Sequence, residues 1–90
     1  MFILTILGKE TEGAYSVADE EGKDILYIFE EEDDASRYAM MLEDSGSPEM
    51  HVIEVDDKAM IEACVMHNYS YTIITPNDIV IPPDTEHDFI

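Results

Sequence analysis

Basic side chains, cysteines and long apolar runs are scarce in this sequence, and each shortage excludes something. Only four bases, Lys9, Lys23, Arg37 and Lys58, stand against 22 acids, for a formal net charge of −18 over 90 residues. Four scattered bases build no cationic stripe, so direct nucleic-acid binding through phosphate contacts is excluded. The single cysteine, Cys64, allows no intramolecular disulfide, which fits a reducing, cytoplasmic compartment. The apolar start, Phe2–Leu7, has no basic region ahead of it. It is too short for a secretion signal or a membrane span, so no membrane partner is expected.

Catalytic signatures are missing as well. There is no G-x-S-x-G, no H-E-x-x-H and no glycine-rich phosphate loop. The alternating D-x-[DN]-x-[DN]-G pattern of a calcium loop is absent, and adjacent acids lack the geometry that wraps one ion. Cys64 and His67 stand three apart, but a structural zinc takes four ligands, so His51 and His87 would have to converge on them. Cys64 reads better as a small core residue, since the surrounding acids oppose a thiolate. No catalytic, metal-binding or cofactor-binding residue is therefore expected, and a small enzyme or metal protein is the weakest of the functional classes.

What is present is a regular alternation of apolar runs and turns. Phe2–Leu7 and Ile25–Phe29 are continuously apolar, as strands buried on both faces are. Ala14–Ala18 is a weaker strand between two polar, glycine-containing turns, so the first three strands read as an antiparallel meander. Ala35, Tyr38, Ala39 and Leu42 fall at i, i+3, i+4 and i+7, one helical stripe, widened by Met41. Asp33 or a neighbour is placed to cap that helix, and Gly46 followed by Pro48 ends it. Met50–Val55 is a fourth strand. A second helix capped by Asp56 or Asp57 follows, with Ile61, Cys64 and Val65 as its stripe and Asn68 as its left-handed stop. Tyr69–Thr75 is a fifth strand, with Tyr69 and Tyr71 on one face, and Ile79–Ile81 reads as a short edge strand.

The order β-β-β-α-β-α-β predicts an α+β fold. The expected form is a two-layer sandwich of two helices on a mixed, mainly antiparallel sheet of about five strands. One domain spans 1–83, and 84–90 is an acidic tail in which Phe89 and Ile90 can dock. At this size folding buries only about 60–65% of the unfolded surface, so stability is modest.

The densest feature is the run Glu30, Glu31, Glu32, Asp33 and Asp34 at the start of the first helix. Acids there interact favourably with the helix macrodipole, by about 0.3–1 kcal/mol each, but only within the first turn. Some of the run is surplus to that need. Charge runs are usually solvated faces, and this one is also a candidate contact surface for a basic partner. Tyr69 and Tyr71 are candidates for the same role, because aromatics with a polar tip are enriched at interfaces. Met40, off the helical stripe, is a further adaptable contact.

The stretches "FEEEDDASRYAMMLED" (Phe29–Asp44), "VIEVD" (Val52–Asp56) and "IVIPP" (Ile79–Pro83) resemble a family of small domains of unknown function from cyanobacteria, their phages and plastids. The resemblance covers nearly the whole chain and carries over no catalytic residue. It implies a cytoplasmic or stromal setting and an accessory role. It also assigns Asp33, Asp34 and Arg37 to local helix-start structure, leaving Glu31 and Glu32 as the acids specific to this protein. The expected function is a non-enzymatic protein-interaction module, a phage- or cyanobacteria-encoded modulator that meets the basic surface of a host protein. The alternative is an acidic nucleic-acid mimic that blocks a DNA- or RNA-binding protein. Homo-oligomerisation through a strand edge is compatible with either.

Overall fold

The computed structural model describes residues 1–10, 13–78, 80, 82 and 87–90. Its elements are β1 (Phe2–Ile6), β2 (Tyr15–Ala18), β3 (Asp24–Phe29), α1 (Glu32–Asp44), β4 (Met50–Glu54), α2 (Asp57–Met66), β5 (Ser70–Ile74) and β6 (His87–Phe89). The α+β class and the β-β-β-α-β-α-β order stand as the sequence predicts. Ile79 and Ile81, read as part of an edge strand, lie outside the described residues.

All six strands belong to one sheet, and β3 is its hub. It pairs antiparallel with β2 through Ser16↔Leu26, Val17↔Ile25 and Ala18↔Asp24. It pairs parallel with β5 from Ile25↔Ser70 to Phe29↔Ile74, and meets β1 at Phe2↔Phe29. The first three strands are therefore not a meander, because β1 pairs with β3 and not with β2. The reason is visible in β1. A continuously apolar run belongs inside a sheet, and β1 has β4 on its other side over all five of its residues.

Both faces of the sheet need covering, because neighbouring apolar residues in a strand point to opposite sides. On one face Leu4, Tyr15, Phe29, Met50 and Ile74 pack under the predicted stripe of α1, Ala35, Tyr38, Ala39 and Leu42. On the other, Ile3, Leu26 and Ile28 meet Cys64, with Met60 and Ile73 packed against them. The helices thus take opposite faces, which corrects the two-layer expectation. α2 uses Met60 and Cys64 rather than the stripe Ile61, Cys64, Val65, and Val65 is 67% exposed.

Both helices stop as read. Beyond α1, Gly46 (φ +96) donates its N–H to the Glu43 carbonyl at 3.0 Å, and Ser47 donates to Leu42 at 3.1 Å. Beyond α2, Asn68 (φ +59) and Tyr69 repeat the pattern onto Val65 at 3.3 Å and Cys64 at 2.8 Å. This paired closure satisfies carbonyls that the helix leaves open.

The stretch read as a tail carries a sixth strand, β6, paired with β2 from Val17↔His87 to Tyr15↔Phe89. Beyond it the Ala14 N–H donates to the Ile90 carbonyl at 2.7 Å and the Ile90 N–H to the Ala14 carbonyl at 2.9 Å. Gly13 makes this approach possible. A Cβ there would lie 3.0 Å from the Ile90 carbonyl oxygen, at a φ of +139 that L side chains rarely adopt.

Replacing Gly13 by Ala is expected to cost about 1–3 kcal/mol, since strain and a backbone clash add. Gly46→Ala, with nothing near its added Cβ, should cost only about 1 kcal/mol. Urea unfolding of the two variants checks the order, and equal losses would contradict it.

Candidate interaction surface and cleft

The acidic run begins where β3 ends. The Glu30 N–H donates to the Ile74 carbonyl at 2.9 Å, tying the run to the end of β5. Glu31 is the last extended residue before α1, and its side chain makes no capping bond. Asp33 is thus not the cap but lies inside the first turn, with Glu32 and Asp34. Three first-turn acids facing the positive helix end make that earlier start favourable. Glu32 therefore shares in the helix start, and the acids outside the helix are Glu30 and Glu31.

Glu30, Glu31, Glu32 and Asp33 are exposed, while Asp34 is mostly covered. Asp34 Oδ1 accepts from Arg37 Nη1 at 3.3 Å, an i,i+3 pair, and Asp34 Oδ2 is buried with no donor among the described residues. Acids elsewhere have structural work. Asp19 Oδ1 accepts the N–H groups of Glu21 (2.9 Å) and Lys23 (2.8 Å) within the β2–β3 turn. Asp56 caps α2 by accepting the Ala59 N–H at 2.9 Å. Asp78 Oδ2 accepts the Thr75 N–H at 2.8 Å and its hydroxyl at 3.0 Å. Among the described residues, no side chain partners those of Glu30 to Asp33.

Tyr69 and Tyr71 do not join this surface. Tyr71 stands opposite Leu26 in the β3–β5 register, five residues before Glu31. At about 3.3 Å per residue that is roughly 16 Å, at the other end of the strand pair. There Tyr69, 43% exposed, stacks on His67 with ring centroids 5.6 Å apart, beside the exposed Val65 and Met66. The sequence candidates thus form two patches, one acidic and one aromatic.

A cleft of about 230 Å³, which sequence reasoning missed, opens between α1 and the segment after β5. Buried Phe29, Tyr38 and Ile74 line it together with Val80, and Asp34, Arg37 and Asp78 supply its polar groups. Its members lie on three separate elements, so no local pattern announces it. Behind it the Tyr15 and Tyr38 hydroxyls meet at 3.0 Å, and burial pushes both phenols up, so they stay neutral. Among the described residues, no group of three His, Cys, Asp or Glu side chains is placed to hold a metal ion. Cys64 is buried, whereas His67 is turned outward onto Tyr69. No described helix is long and apolar enough to cross a membrane.

A family model described as "Domain of unknown function (DUF3110)" matches residues 1–84. The chain belongs to this family. The DUF3110 match spans β1 through β5 with both helices, and so includes the acidic run, the cleft-lining residues and Tyr71. β6 lies beyond it. No curated protein and no solved structure matches this DUF3110 chain.

Burial pushes the Cys64 thiol up, so it is protonated at neutral pH. Native protein should react with a thiol-specific disulfide reagent far more slowly than protein unfolded in urea, at a rate set by opening of the α2 face. Immediate stoichiometric reaction in the folded state would contradict this packing.

Proposed function

We propose that this domain is a non-enzymatic interaction module whose acidic strand-to-helix corner meets a basic surface on a partner protein. The carrying observation is that Glu30, Glu31, Glu32 and Asp33 are exposed together, with no side chain engaging theirs among the described residues. Such a surface raises the encounter rate with a positive partner and repels negative ones. The charge of −18 extends that field over the whole domain. The aromatic patch at Tyr69 and Tyr71 offers a second contact for the same or another partner. In keeping with the sequence resemblance, the partner is a host protein that the module modulates in the cytoplasm.

Immobilised protein should retain a stoichiometric partner from cyanobacterial lysate at low salt and release it as ionic strength rises. The double variant Glu30→Gln/Glu31→Gln should weaken that association by roughly 5- to 10-fold, about 1–1.4 kcal/mol, without lowering thermal stability. Retention of nothing at any salt, or binding indifferent to both changes, overturns the reading. If the retained partner binds nucleic acid, competition decides the alternative: a mimic displaces it, and a simple adaptor leaves it bound.

A further inference from the structure

We propose that the cleft between α1 and the segment after β5 receives a lysine side chain from that basic partner. The inference rests on the module reading for its partner, while the cleft chemistry stands on its own. At about 230 Å³ the cleft is smaller than sites that enclose drug-sized molecules, roughly 300–1,000 Å³, so a single side chain suits it. The walls of Phe29, Tyr38, Ile74 and Val80 suit an alkyl stem, and a lysine buries such a stem while keeping its charge at the rim.

The polar groups ask for a cation. Asp34 and Asp78 against Arg37 leave the described lining residues net negative, and the exposed acids from Glu30 to Asp33 adjoin Asp34 in sequence. Among the described residues Asp34 Oδ2 has no hydrogen-bond donor, which is costly for a buried carboxylate oxygen. The last torsion of an aspartate is broad, so this oxygen can turn toward an entering ammonium. Thr75 anchors Asp78 through two hydrogen bonds of 2.8 and 3.0 Å, so its carboxylate is already in place. Arg37 holds Asp34 by one 3.3 Å contact with its own side chain 71% exposed, a weak pair that yields readily. A compact ammonium fits beside Arg37, whereas a second broad, planar guanidinium would compete with it.

Amide chemical shifts of ¹⁵N-labelled protein test this with three blocked tripeptides, Gly-X-Gly, where X is lysine, norleucine or arginine. The lysine peptide should shift Asp34, Tyr38, Ile74 and Val80 saturably, with the other two roughly tenfold weaker. Asp34→Asn, and separately Met41→Trp to fill the cleft, should each abolish the response while the spectrum stays dispersed. An equal response to norleucine or arginine overturns the inference. So do lysine-peptide shifts spread over remote acids such as Glu20, Asp44 and Glu62, which would mean general counter-ion attraction. A partner released by Glu30→Gln/Glu31→Gln but indifferent to Asp34→Asn and Met41→Trp sinks the cleft and leaves the module reading standing. Lysine-specific shifts at the cleft with no partner retained do the reverse.

Discussion

The pairing of β3 with its neighbours is the interaction on which the rest of the structure depends. β5 lies along β3 in parallel, β2 takes its first half antiparallel, and β1 meets it at Phe29. Alternate residues of the same strand anchor both cores, Phe29 under α1 and Leu26 and Ile28 under α2. The strand also ends at Phe29, immediately before the acidic run. The register that buries Phe29 beside Ile74 therefore sets where Glu30 emerges and where the cleft opens.

Against this apolar centre stands a periphery that repels itself. Among the described residues Arg37 is the only lysine or arginine that pairs with a carboxylate. His51 and Glu10 approach to just 3.9 Å, a pair that is ionic only when the histidine is protonated. Acids with a structural task use it locally, as turn acceptors or helix caps worth about 1 kcal/mol each. The helix dipole rewards the first-turn acids Glu32, Asp33 and Asp34, whereas Glu31 makes no capping bond and no side chain among the described residues engages Glu30 or Glu31. A fold carrying charges it does not use is the physical basis for reading them as a surface addressed to something cationic.

The elements were legible because their signals are local. Helix periodicity in Ala35–Leu42, glycine and asparagine stops, and the Asp56 cap each depend on a few neighbouring residues. The layering was less legible, although its cause was present. Ile3-Leu4, Ile28-Phe29 and Ile73-Ile74 place apolar side chains on both faces, and that demands two covers rather than one. Strand order and the path of the chain end follow from contacts distant in sequence, such as Gly13 with Ile90, which no local pattern encodes. The exposure of the acids could be read from composition. Their separation from Tyr69 and Tyr71 depended on the parallel β3–β5 register, and the cleft on three elements meeting in space.

The central claim is that the surplus carboxylates are held by the fold at a cost, and not used by it. Unfolding free energy by urea, measured from about 20 mM to about 1 M NaCl, tests this most directly, because sodium chloride screens exposed charge. Like charges crowd more closely in the folded chain than in the unfolded one, so screening should favour the folded state. A steady rise in stability with salt is the predicted result. A falling curve would mean that the acids stabilise the domain through attractive pairs, and a flat one that they cost it nothing; either would contradict the account.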